Sequence, residues 1–266
     1  MRIIAGLHKG RTLSAPLGKT TRPTAERVRQ ALFDTLMHAP WGGRALFEGC
    51  HVLDAFAGTG ALGLEALSRG AQYASFFETN PLALSHLRAN IRSCRAESAC
   101  CILAQDVTKP PLKLPRHVHT PASLIFLDPP YYSDLSPYTL YALFVRGWIS
   151  PHAIAVIESA HDEILSFEKI SVPAFSHRIT KNTPQKSTLQ KLHPKDFPEK
   201  ENPQKYRYIQ KQFFQRMPQE NSKTLPKKQV QQMQPVQQET LFSLPLSLLT
   251  TRQHGAAYLS FWQFTS

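Results

Sequence analysis

The chain is short of cysteine, short of acid, and has no long apolar run. Its 266 residues include four cysteines, Cys50, Cys94, Cys100 and Cys101. No CxxC pair occurs and two of the four are adjacent, which argues against a zinc ribbon or a disulfide framework and fits a reducing compartment. No stretch of ~18 apolar residues occurs, so no membrane span or membrane partner is expected. The opening MRIIAGLHKGR has no apolar core of a leader, so a secretory signal is not expected and the chain is read as cytoplasmic. Acids number 19 against 31 Lys and Arg, a formal net charge of +12. Such a balance points to an acidic partner, nucleic acid being the commonest.

The shortage of acid is local. Residues 1–44 carry eight basic and two acidic side chains, and residues 176–245 carry thirteen and five. The remainder holds ten basic and twelve acidic residues, a net of −2. Two basic segments therefore flank a near-neutral body. The second one also lacks glycine, and holds thirteen Gln, ten Lys and eight Pro. A composition this poor in apolar residues cannot bury enough surface to offset ordering entropy. Residues 181–249 are accordingly read as a disordered basic insertion, between a catalytic domain at 45–180 and its final strand at 250–266.

Short apolar runs alternate with helical periodicity. A basic arm over 1–20, with Arg2-Ile3-Ile4 as an edge strand and a turn at Gly10-Arg11, precedes a helix starting near Pro23. Val28, Leu32 and Leu36 share one face of that helix, which leaves Arg22, Arg27 and Arg29 for solvent or phosphate. Strands are expected at Val52–Leu53, Ala74–Phe77, Cys100–Leu103, Ser123–Leu127 and Ala153–Ile157, with helices through Leu62–Leu67, from Asn80-Pro81, and over Ser136–Val145. The terminal strand, Ala256–Phe264, is expected to pair with residues near Ile170–Ile179. This order implies a doubly wound, mostly parallel sheet. Four strands end in a carboxylate, Asp54, Glu78, Asp128 and Glu158. In such sheets ligands bind outside the carboxyl ends of the strands.

Residues 54–63, DAFAGTGALG, contain a formal GxGxxG. With Glu78 at the distance suited to a ribose, that pattern alone would fit a dinucleotide. Asp54 argues the other way, because a pyrophosphate needs positive potential at this turn and a cationic ligand does not. The D-x-F-x-G-x-G pattern resembles motif I of class I methyltransferases, whose cofactor, S-adenosylmethionine, has a sulfonium and an ammonium and no phosphate. A second motif, Asp128-Pro129-Pro130-Tyr131, follows an apolar strand. Two prolines stiffen the turn and remove two N–H donors. Held rigid, the Asp128 carboxylate and the Pro129 carbonyl could grip an exocyclic amine and aim its lone pair, while Tyr131 offers a stacking face to an extruded base. The turn resembles the (D/N)PP(Y/F) signature of methyltransferases acting on amino nitrogens. No general base is obvious, and positioning can supply most of the barrier reduction.

Several blocks together resemble one family, the RsmD-type 16S rRNA guanine-N2 methyltransferases of bacteria. They are Arg2–Gly6, Lys9–Leu13, the run TRPTAERVRQALF from Thr21, the run LDAFAGTGALGLEALSRGA from Leu53, Phe126–Tyr131 and Arg252–Gly255 with the last strand. The resemblance implies a Rossmann-like methyltransferase with a seven-strand sheet and a small basic N-terminal extension over 1–44. It implies S-adenosylmethionine as cofactor, and a guanine N2 in 16S rRNA of the small subunit, or of an assembly intermediate, as target. Asp54, Phe56, Ala57, Gly58 and Gly60 would line the cofactor, Glu78 would hold its ribose, and Asp106 would face its adenine. Asp128, Pro129, Pro130 and Tyr131 would form the catalytic turn. Arg2, Lys9, Arg11, Arg22, Arg27 and Arg29 would meet rRNA phosphates. No metal is implied, and a monomer is expected. The family joins its last two strands by a short turn, so the insertion is a departure from it. The alternatives are a DNA or protein amino-methyltransferase with the same DPPY chemistry, and a non-catalytic ribosome-assembly factor.

Overall fold

A computed structural model describes residues 1–16, 23–113, 120–167, 170–172 and 240–265. The chain divides into two units, Met1–Val172 with Leu241–Ser266, and Pro173–Thr240. The second unit, apart from Thr240, lies outside the described residues. So do Arg22 and the part of the expected insertion that runs to residue 239.

The first unit is built on one seven-stranded sheet. Five strands run parallel: β1 (His51–Asp54), β2 (Tyr73–Phe77), β3 (Cys100–Leu103), β4 (Ala122–Leu127) and β5 (Ile149–Ala160). Two short strands, β6 (Ile170–Val172) and β7 (Thr240–Phe242), pair with each other in a separate sheet. The large sheet is completed by β8 (Leu246–His254) and β9 (Ala257–Phe264), in the order β3-β2-β1-β4-β5-β9-β8. Strand β9 is antiparallel to both β5 and β8.

The period-2 pattern of the strands feeds two apolar layers. Leu53, Phe77, Leu103, Ile125, Leu127, Ala155 and Ile157 face a cluster that includes Trp148 and the helix α4 (Leu135–Val145). Their neighbours Val52, Phe126 and Val156 pack on the other side against the helix α1 (Pro23–His38), which contributes Val28, Leu32, Phe33 and Leu36. On that same side Ala74 and Phe76 meet Leu64 of α2 (Ala61–Ser68) and Leu84, Leu87 and Ile91 of α3 (Pro81–Ser93). Helix α3 starts where Asn80 caps it, its Oδ1 accepting from the Leu82 and Ala83 amides at 2.9 and 3.1 Å, with Pro81 at the first helical position.

The N-terminal arm is a docked hairpin with a single bridge, Arg2 to Thr12, rather than an edge strand of the sheet. Buried Glu65 in α2 holds it. The Glu65 carboxylate accepts from the Ile4 amide at 2.7 Å, the Ala5 amide at 3.0 Å and the Arg69 guanidinium at 2.8 Å. Gly6 lies against the end of α2 at φ +79°, where a Cβ would stand 1.7 Å from the Ser68 carbonyl oxygen. Backbone approaches backbone there, and only glycine fits.

Three expectations need correction. Arg29 is 5% exposed, and its Nη2 donates to the Arg2 carbonyl at 2.7 Å. It belongs to the fold and not to a phosphate-facing surface, because it shares a helical column with buried Phe33. The terminal strand pairs with β5 on one side and, across a tight turn at Gly255 (φ +65°), with β8 on the other, whereas Ile170–Val172 of its expected partner pairs with β7 and the rest of that segment lies outside the described residues. Residues 240–242 and 246–249, placed in the insertion by composition, are strand. The last two strands are therefore joined by a short turn after all, and the extra sequence lies one connection earlier, between β6 and β7.

Candidate active site

Strand order sets four carboxylates in a row. The neighbours β2, β1 and β4 carry Glu78, Asp54 and Asp128 at or just past their carboxyl ends, and β5, which runs on to Ala160 and not only to Ile157, carries Glu158 two residues before its end. Adjacent strands in a sheet lie about 4.8 Å apart. Four acids along such an edge form an acidic crevice, in which a ligand with positive charge would favour the ionised carboxylates.

Asp54 ends β1 and is fully buried. Its Oδ2 accepts from the Gly63 amide in the first turn of α2 at 3.1 Å. Burial pushes its carboxyl up to about 7, the Gly63 bond opposes that rise, and Glu78 adds to it. The glycine loop then turns over it: the Ala55 amide donates to Phe126 O, the Ala57 amide to Phe77 O and the Gly60 amide to Ala57 O. Gly58 sits at φ +53°, and a Cβ there would meet nothing within 4 Å. Its need for glycine is conformational, and the space above it is open. Gly63 differs: a Cβ would come within 2.4 Å of the Phe76 ring, so its role is close packing of α2 on the sheet. Ala57 is buried, and Phe56 packs half-buried against the α4-side cluster.

Glu78 folds back on this loop. Its Oε2 accepts from the Gly58 amide at 2.8 Å, and its Oε1 accepts from the Thr79 and Asn80 amides at 2.7 Å each. Glu78 thus links the β2 turn to the glycine loop. Asp106, beyond β3, is exposed, and its Oδ1 accepts from the Thr108 amide at 2.9 Å and the Thr108 hydroxyl at 2.7 Å. One of its oxygens thus shapes a local turn.

At β4 the Asp-Pro-Pro-Tyr turn leaves Pro130 exposed and Pro129 buried, and Asp128 reaches solvent at the edge. The protein packed around its carboxyl still desolvates it, and this, then Glu158, then Asp54, hold it above the usual carboxylate range. Tyr131 is 41% exposed, and its hydroxyl donates to Glu158 Oε1 at 2.9 Å. Glu158 is half-buried and is likewise shifted upward by desolvation, which the Tyr131 bond partly offsets. The structure therefore brings Asp54, Gly58, Glu78 and the Asp128–Tyr131 turn to one sheet edge and adds Glu158 to them.

The fold as a whole is similar to that of solved structures. The Escherichia coli protein yhhF, described as a candidate methyltransferase, superposes with a TM-score of 0.59 at 21% identity, over 100% of this chain and 98% of that one. A candidate methylase from Haemophilus influenzae gives 0.55 at 21%, with the same coverages. At these identities the likeness is one of fold. Sequence decides the family. The family model described as Conserved hypothetical protein 95 matches residues 1–181. The Haemophilus influenzae protein named ribosomal RNA small subunit methyltransferase D is 34% identical over 169 residues, 62% of this chain and 81% of that protein. The Escherichia coli K12 protein of the same name is 35% identical over 159 residues, 60% and 74%. This chain belongs to the RsmD methyltransferase family. The matched stretch holds the N-terminal hairpin, the glycine loop and the Asp-Pro-Pro-Tyr turn, so the family's shared segment is also the part that builds the crevice.

Two sets of residues escaped the list of candidates. Glu158 was visible as a strand-end acid, but its link to Tyr131 depends on β5 lying beside β4. Arg88, Arg92 and Arg95 are exposed on and just after α3, and Arg11 reaches the Ser93 carbonyl next to them. Residues 79–96 hold three arginines and no acid, a signal hidden by the −2 net of the body as a whole. Of the basic extension, Arg2, Lys9, Arg11 and Arg27 are exposed, and Arg2 pairs with Glu26 at 3.3 Å.

Proposed function

We propose that this RsmD-family chain transfers a methyl group from S-adenosylmethionine to the exocyclic N2 amine of a guanine in small-subunit rRNA. The observation that carries the reading is the acidic crevice itself, with buried Asp54 under an open glycine loop and Asp128 beside it on a proline-stiffened turn. The fit to the cofactor is electrostatic and steric. Asp54 and its neighbours lack positive partners there among the described groups, and the space over Gly58 admits a ligand against bare backbone. When bound, S-adenosylmethionine supplies an electrophilic methyl on a sulfonium.

The chain's own residues do the positioning. The Asp128 carboxylate and the Pro129 carbonyl accept the two N–H bonds of the target amine, which turns its delocalised lone pair toward the methyl carbon. Tyr131 presents a ring face to the extruded base. The amine nitrogen gains the methyl and becomes cationic, and its proton then passes to Asp128 or to water, a modest demand for a carboxylate held above its ordinary range. Exposed Arg2, Lys9, Arg11 and Arg27 supply phosphate contacts. The relatives' names, with small-subunit rRNA in them, support the substrate. Glu78 and Asp106 are placed by the same reading at the ribose and adenine.

The test uses labelled S-adenosylmethionine and small subunits purified from a strain lacking this methyltransferase. Label is expected in 16S rRNA at a guanine N2. Label at another base, or none, overturns the reading. Asp128→Ala is expected to abolish transfer and leave cofactor binding intact.

A further inference from the structure

The turn after β4 is stitched to the end of β5. Tyr131 donates to Glu158 Oε1 at 2.9 Å, and Tyr132, at φ +55°, donates to Asp162 Oδ1 at 2.7 Å. The β4–β5 register runs through Leu127 and Ile157, so the next step along sets Asp128 level with Glu158. Two carboxylates at one level on adjacent strands repel each other. An acid in that place needs a compensating role, and a solvated strand-end acid would not be half-buried between buried Ile157 and Ser159. Glu158 has such a role as the acceptor for the Tyr131 hydroxyl.

That bond restrains the ring. The tyrosine hydroxyl lies on the Cβ–Cγ axis, so this bond fixes χ1 and the place of the ring, while the phenolic O–H, which prefers the ring plane, biases χ2 toward one orientation. The backbone before it is fixed by Pro129 and Pro130. The backbone after it is tied by the Ser133 hydroxyl, which donates to the Pro130 carbonyl at 2.5 Å. The ring is therefore anchored at its root and its tip while its face stays open. We infer that Glu158 is a positioning residue, which holds Tyr131 at the angle where its face receives the target base. Glu158 touches no reacting atom. The inference rests on the methyl-transfer reading of the same crevice.

Four variants of the full chain test it, assayed with S-adenosylmethionine and small subunits from cells lacking the enzyme. Glu158→Ala and Tyr131→Phe each lower kcat/KM about tenfold, because a loosened face spends less time in register with the base. Cofactor affinity by calorimetry stays unchanged in Tyr131→Phe, which keeps all four acids, and any loss in Glu158→Ala is matched in Glu158→Gln, which also lacks the charge. Glu158→Gln keeps an acceptor oxygen and returns kcat/KM to within about twofold of wild type. The double variant Glu158→Ala/Tyr131→Phe is no worse than either single one, since both remove one shared bond. Wild-type kcat/KM in Glu158→Ala overturns the inference, and so do losses that multiply to about a hundredfold in the double variant. If Glu158→Ala loses structure and cofactor affinity with it, Glu158→Gln decides: recovery supports the inference, and a loss as deep as that of alanine overturns it. Asp128→Ala separates the two levels. An inactive Asp128→Ala beside a fully active Glu158→Ala removes only the role of Glu158. An active Asp128→Ala removes the reading of the crevice.

Discussion

Among the described residues Asp54 has one amide and no cation beside it, and burial pushes its carboxyl up to about 7. A cation bound over the glycine loop favours the ionised form, so binding lowers that pKa and expels a proton. S-adenosylmethionine should therefore bind more tightly as pH rises through about 7, with proton release near pH 6–7 measurable by calorimetry in buffers of different ionisation enthalpy. Asp54→Asn should release fewer protons and bind more weakly at pH 8. His51 behaves in the opposite sense. Buried between the Thr120 carbonyl (2.8 Å) and the Ser75 hydroxyl (2.9 Å), it is pushed down to about 4, by burial first. Its depressed value means the unfolded chain binds the proton more tightly. Stability is thus fully present above about 6.5 and is lost as pH falls toward 4, by roughly 3 kcal/mol over that window. Relative to His51→Phe, wild type should therefore lose roughly 3 kcal/mol of stability between pH 7 and pH 4, measured by urea unfolding at each pH.

Helix α2 joins three functions in eight residues. Its start shapes the glycine loop through Gly63 and Asp54, its middle holds the N-terminal hairpin through Glu65, and its end receives Gly6. Glu65→Ala leaves Arg69 and two amides without their buried acceptor, at a cost of about 3 kcal/mol. A lowered Tm together with weaker RNA binding, at unchanged cofactor affinity, is the expected result. The sequence showed elements better than their partners. Strands β1 to β4 and helices α2 to α4 follow from short apolar runs, caps and helical spacing, because those signals are local. Glu65 was legible in principle, being the lone acid in the apolar run ALGLEALS. Arg29 was not, because the buried face of α1 is two columns wide, and the Val28 column hid the one shared with Phe33. Strand β8 was lost for a different reason. It is an exposed edge with Leu248 49% exposed, and its leucines follow directly on a Gln- and Lys-rich stretch whose composition absorbed them. The tie from Tyr131 to Glu158 depends on strand order, which no local pattern encodes.

Across the molecule, charge is divided by task. Carboxylates gather at one sheet edge and the exposed cations Arg2, Lys9 and Arg11 on the N-terminal hairpin, the separation that the proposed function asks of a site for a cationic cofactor and a surface for RNA. Binding to rRNA should weaken linearly in log salt, and each phosphate-contacting cation removed should reduce that slope by about 0.7–0.9. Arg11→Ala and Arg27→Ala are expected to reduce it, measured by filter binding across salt concentrations. Arg29→Ala should instead lower Tm and leave the slope alone. The small β6–β7 sheet has a consequence of another kind. Strands on either side of the Pro173–Thr240 unit are hydrogen-bonded to each other, and the seven-stranded sheet is complete without that unit. The junction therefore works as a splice point. Replacing residues 173–239 with a four-residue turn should leave the seven-stranded sheet folded, checked by Tm. A fluorescent domain grafted between Val172 and Thr240 should leave methyl transfer intact, which makes this junction a natural port for cargo on a working enzyme.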